Sequence, residues 1–179
     1  MGNQPRLEKD MKLTEYLLDE MEREVPGTRQ TLERVPEGHN DWKPHDKSMA
    51  LGNLANLCAT MPSWIDMIIS TEELDIAPVD GGPPRPPLPK TRKELTAALD
   101  EAVAKCRLAL RNTTDEHLMK DWTLLAKGHV MQKSPRYIMI SDTFKHLAHH
   151  RGQLTVYLRL NNASVPAIYG PSADEGMAA

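Results

Sequence analysis

Apolar residues recur at three- and four-residue steps in four separate stretches of this chain, and proline, glycine or polar turns close each one. That period belongs to helices with one buried face, so it constrains the fold class before any other feature does. The longest stretch runs from Ser134-Pro135 to Asn161-Asn162. Ser134 reads as its N-cap and Pro135 as its first helical residue, where a missing N–H costs nothing. Leu147, Leu154 and Leu158 form its stripe, with Thr143, His150, Tyr157 and Asn161 beside it.

The other three stretches lie upstream. Glu8 to Val35 carries Leu13, Leu17, Met21, Thr28, Leu32 and Val35. Pro26 inside it predicts a kink near Glu22 to Val25, or two shorter helices. His39 to Lys47 is a connection. Ser48 then caps a second helix, Met49 to about Thr71. Its predicted stripe is Met49, Leu54, Leu57, Met61, Ile65 and Ile68, with Trp64 at the rim and a kink at Pro62. Ala77 to Lys90 holds six prolines and two glycines and reads as a semi-rigid connection. Thr91 caps a third helix to about Asn112, and Glu94 completes a capping box. Leu95, Leu99, Val103, Cys106 and Leu110 form its stripe. Thr113 to Glu116 starts a short helical turn. Trp122 to Lys133, broken by Lys127-Gly128, is a short hairpin or an extended crossover. From about residue 163 the chain is extended, Pro-fixed and partly apolar, and should drape over one end. These patterns predict one all-α domain over residues 1–179, a four-helix bundle with at most one short hairpin before the last long helix.

Composition agrees. Ten Met against a single Phe suits packed helices. A net charge of -3 and a pI near 6.2 give no electrostatic basis for nucleic-acid binding. The longest apolar runs fall short of the ~18 residues of a membrane span. The opening residues lack the apolar core of a signal peptide. Cys58 and Cys106 make no disulfide framework, and reduced thiols in a cytoplasmic protein are the expectation.

His146 and His150 are the strongest chemical feature. Four residues apart on a helix, both imidazoles project from one face. They are candidate ligands for a divalent metal, zinc or nickel, which needs a further protein ligand for a tight site. The alternative is a half-buried pair hydrogen-bonded to carbonyls and to neighbours such as Thr143. His149 should face outward. Cys58 as a nucleophile with a histidine base is a weaker alternative. No Gly-x-Ser-x-Gly and no phosphate loop is present.

The chain also resembles the DinB-like (DinB/YfiT) family of bacterial helical bundles. The matching fragments are Val35-Pro36-Glu37, Asp41-Trp42-Lys43-Pro44-His45, Ser48 to Ala55, Pro62-Ser63-Trp64, His146 to Leu154, and Val165-Pro166 with Tyr169 to Ser172. The resemblance implies an up-down-down-up bundle, often a homodimer, holding a divalent metal with three histidines. Two of these match His146 and His150. The place of the third, on the second helix, is Leu57. Cys58 beside it is rotated about 100° away, and Asn53 is offset by about 40°. The family includes thiol-dependent S-transferases, in which the metal activates a small thiol. The expectation is therefore a metal-dependent transferase or hydrolase. The alternative is a degenerate member that binds a small apolar molecule or a partner protein, because Leu57 breaks the triad.

Overall fold

The computed structural model describes residues 11–79, 81–82 and 87–176. The expected helix start at Glu8 to Asp10 and part of the Pro-rich connection lie outside them. Helix α1 spans Leu13–Leu32. α2 (Leu51–Thr60) and α3 (Ser63–Ser70) follow, then strand β1 (Glu73–Asp75). After the connection come α4 (Arg92–Asn112) and one turn, α5 (Asp115–Leu118). Strands β2 (Asp121–Ala126) and β3 (His129–Pro135) lead into α6 (Arg136–Leu160).

The first turn of α1 is capped from far away in sequence. The Asp115 carboxylate accepts from the Leu13 and Thr14 N–H groups at 2.9 and 3.0 Å. These are donors that a helix start otherwise leaves orphaned. Pro26 does not split α1, which stays one helix of 20 residues. Its neighbours Thr28 and Thr31 bond back to the Glu24 and Gly27 carbonyls at 3.0 and 2.8 Å.

The second predicted helix does break at Pro62, into α2 and α3. Ser48 is not its cap. Ala50 occupies the N-cap position without a side-chain bond. Backbone carbonyls of the preceding loop serve instead: Leu51 N–H donates to Trp42 O and Gly52 N–H to Asn40 O, each at 2.9 Å. A Cβ on Gly52 would meet the Asn40 side chain at 3.0 Å, so glycine is what allows the loop so close. Met49, predicted buried, is exposed because it lies in this loop ahead of the helix. The third predicted helix matches α4: Thr91 Oγ1 accepts from Glu94 N–H at 3.2 Å, and Glu94 accepts from Thr91 N–H at 3.1 Å.

The purely all-α expectation gives way to a mostly helical fold with a small sheet of order β1-β2-β3. β2 and β3 are the expected hairpin, turning at Lys127 and Gly128 with φ of 53° and 74°. Two positive φ angles are what a two-residue hairpin turn requires. β1 pairs parallel to β2. Its Asp75 carboxylate accepts from the Lys127 and Gly128 N–H groups at 3.0 and 2.7 Å, which fixes the turn. Ser134 is paired across the hairpin to Trp122 and so cannot cap α6; Pro135 holds the N-cap position and α6 starts at Arg136.

α6 packs against α1, α2 and α3, and so does α4. Leu17, Met21, Leu54, Leu99, Leu147 and Leu154 lie in the core between them. The guanidinium of Arg136 is wholly buried at the start of α6. It donates to Ile68 O, Thr71 O and Asp121 O at 3.0, 2.7 and 2.8 Å. Two of these carbonyls end α3, where helices leave acceptors unmatched and the dipole favours a cation. Trp122 adds an indole N–H to Thr71 Oγ1 at 3.0 Å.

Arg136→Met is expected to cost about 3 kcal/mol or more, because it strands several buried carbonyls. Glu72, which reaches the same guanidinium at 2.9 Å but is 82% exposed, matters far less. Glu72→Gln should change stability by less than about 1 kcal/mol. Chemical denaturation of both variants checks the contrast.

Candidate metal centre

α6 carries both candidate ligands. His146 and His150 stand one turn apart, with Nε2 to Nε2 at 2.8 Å and ring centroids 4.6 Å apart. His150 Nδ1 lies 2.8 Å from Gln153 Oε1. With the Gln153 amide oxygen as acceptor, the assigned tautomer puts the His150 proton on Nδ1 and the Nε2 lone pair toward His146. His146 then donates from its own Nε2–H. One N–H between them closes the hydrogen bond, along the line on which two lone pairs would converge on a metal.

Trp64 of α3 meets His146 edge-on at 5.7 Å, so the residue expected at the rim packs on the candidate site. His149 is exposed, as expected, although its ring reaches His150 at 5.1 Å. The expected partner Thr143 is not one: its hydroxyl bonds back to Met139 O at 2.9 Å. His146 is held below the ordinary histidine range, first by burial and then by repulsion from His150 and His149.

The third family position, Leu57, is half-buried against the core, and Asn53 is exposed. Among the described residues no group of three His, Cys, Asp or Glu is placed to hold a metal ion. Cys58 and Cys106 are both buried, and burial pushes each thiol up to about 12. Arg151 draws the Cys58 value down, but burial outweighs it. Neither cysteine is an activated nucleophile.

A second cluster escaped the sequence reading. Arg151, 1% exposed, donates to Glu24 Oε2 at 2.6 Å, to Glu24 O at 3.0 Å, to Thr28 Oγ1 at 2.9 Å and to the Tyr169 hydroxyl. Tyr169 donates in turn to Glu24 Oε2 at 2.7 Å. The cluster ties α6 to α1 and to the C-terminal tail. The signal was available, because Arg151 falls in register with Leu147, Leu154 and Leu158, where only a paired charge is tolerated. The tail is also clipped by Arg159 to Asp174 and by Arg34 to Glu175.

The sequence profile of the DinB family matches residues 8–177. The chain belongs to the DinB family. It is 27% identical over 89 residues to the protein named "Uncharacterized protein YrdA" of Bacillus subtilis (strain 168), a match spanning 50% of this chain and 51% of that protein. A DinB-like protein from Bacillus cereus has the same fold, with a TM-score of 0.66 at 20% identity over 86% of this chain and 95% of that one. One from Bacillus subtilis gives 0.63 at 16% identity over 91% and 99%. A further DinB family member, from Exiguobacterium sibiricum, gives 0.58 at 19% identity over 85% and 93%. At these identities the solved structures speak for the fold alone. Among the described residues of this DinB protein no helix is long and apolar enough to cross a membrane.

Two outcomes follow from the titrating groups. The unfolded chain protonates His146 more readily than the folded one does. This group therefore removes stability as pH falls below the ordinary histidine value of about 6.5 and is neutral above it. Histidine NMR titration should place the His146 midpoint below that value, and His150→Ala should raise it. Both thiols should resist alkylation in the native protein at pH 8 and react once it is unfolded, as a mass-shift assay reads directly.

Proposed function

We propose that this DinB protein presents His146 and His150 as a two-imidazole site for a divalent metal, zinc or nickel. Ligands from solution, such as a low-molecular-weight thiol or water, complete the coordination. The supporting observation is the approach of the two Nε2 atoms to 2.8 Å, with the other nitrogen of His150 oriented by Gln153. An outer hydrogen-bond partner of this kind fixes the tautomer of metal-bound imidazoles. Two nitrogens on one tetrahedral ion sit roughly 3.3 Å apart, so a small ring rotation is enough. The donor set thus fits a weak site and falls one residue short of a tight one.

The protein's own groups prepare the pair. Burial and the neighbouring His150 and His149 disfavour the protonated form of His146, and moving its Nε2 proton to Nδ1 frees a second lone pair. A bound metal supplies Lewis acidity, which polarises a carbonyl or makes a thiol or water more acidic. In this reading the chain is a thiol-dependent S-transferase or a metal-dependent hydrolase. Helices α1, α2–α3, α4 and α6 serve as the four rods of an up-down-down-up bundle, and the protein works as a cytoplasmic homodimer. The second reading is a non-catalytic member that binds a small apolar molecule or a partner protein. The apolar Leu57 at the third-ligand position favours it.

Calorimetric titration of untagged protein with zinc and nickel tests the first reading. Wild type is expected to bind weakly and His146→Ala not at all, while silent titrations of wild type reject the site. Leu57→His should tighten binding by an order of magnitude or more by adding a third nitrogen. Without metal the same change should lower stability by about 1–3 kcal/mol, the cost of a poorly partnered polar ring. Equal metal-induced shifts in Tm for wild type and Leu57→His would separate Leu57 from the site.

A further inference from the structure

Half a turn round α6 from the histidines, a cleft of about 260 Å3 lies between α6, α1 and the tail. Tyr16, Phe144 and Tyr169 line it. These are three of the aromatic residues in a chain with four Tyr, three Trp and one Phe, so the cleft draws heavily on a scarce residue type. Glu20 and Glu24 line it as well. Ring faces carry negative charge density, and rings grouped around a small cavity recognise cations that shed water easily. Carboxylates beside them add the charge that a neutral guest does not need.

One cation is already seated in this manner. The Arg151 guanidinium carbon lies 5.1 Å from the Tyr169 ring centroid. Arg151 is 1% exposed while Tyr169 is 75% exposed, so the guanidinium leaves much of that ring open. Lys145 lines the cleft too, its Nζ 3.0 Å from Asp142 in an exposed surface pair. Glu20 meets Arg23 at 2.7 Å in a surface pair that solvent screens.

We propose that this cleft binds a small organic cation of the methylated-ammonium class, with Tyr16, Phe144 and Tyr169 as its aromatic walls and Glu20 as its counter-charge, Glu24 being held by Arg151. The test is calorimetric titration of the whole protein with choline and with tetramethylammonium. The uncharged tert-butyl isostere of choline, which keeps its shape and hydroxyl, is titrated alongside. Saturable binding of both cations is expected, with the isostere at least about tenfold weaker. Tyr16→Leu keeps an apolar side chain at an exposed position and should weaken choline binding about three- to tenfold, the worth of one cation–π contact. Glu20→Gln should weaken it too, and His146→Ala should leave it unchanged. Equal affinity for choline and its isostere overturns the proposal in favour of a purely apolar cavity. Absence of saturation up to tens of millimolar, or binding indifferent to both Tyr16→Leu and Glu20→Gln, overturns it as well.

Discussion

A guanidinium at the first residue of the longest helix holds three parts of this molecule in register. Arg136 sits where a helix dipole disfavours a positive charge, and it is wholly buried. What makes the position tenable is the adjoining end of α3, whose last carbonyls face it. One helix start thereby caps another helix end, and the carbonyl of Asp121 joins the sheet to both. Every candidate functional side chain on α6 inherits its position from that junction. A rotation of α6 about its axis that moved His146 or His150 would also break these bonds.

Fifteen residues further along, Arg151 repeats the device with a different set of partners. A buried ion pair is weak evidence for stability, since desolvation can cancel its attraction. Its value here is geometric. Arg151 reaches a carboxylate, a backbone carbonyl and two hydroxyls, so α1, α6 and the tail have one mutual arrangement that satisfies it. Burial keeps the thiol of Cys58 inert against the opposing pull of this guanidinium. α6 therefore presents two chemistries on opposite faces: an imidazole pair on one, and a cleft of aromatic rings and carboxylates on the other.

Much of the architecture was legible because helical periodicity survives in single residues. All five residues of the stripe expected for α4, Leu95, Leu99, Val103, Cys106 and Leu110, are buried, with Ala102 and Ala109 added to them, and its cap is legible in Thr91 and Glu94. The hairpin turn was readable from Lys127-Gly128. Features set by partners distant in sequence were not. Nothing local announces that Asp115 caps α1, or that loop carbonyls rather than Ser48 cap α2. β1 is three residues long and acquires its identity from pairing with β2. At the site, the spacing of His146 and His150 gave their proximity. The orientation of His150 depends on Gln153, whose role helical spacing does not announce. The two buried arginines were visible as charges in apolar register, but the partners that make them acceptable lie far away in the chain.

The backbone cap on α2 makes that helix conditional on the other end of the chain. The loop that supplies the Asn40 and Trp42 carbonyls is itself held by α6. Trp42 packs edge-on against Tyr157 at 5.5 Å, Tyr157 donates to Met49 O at 3.1 Å, and His39 meets Asn161 at 2.9 Å. A helix of ten residues is too short to persist alone in water. Its first turn is therefore stabilised by residues more than a hundred positions downstream. Contacts of that span couple distant segments into one cooperative unit. The amides of Leu51 and Gly52 thus report, through hydrogen exchange, on whether the last turns of α6 are in place.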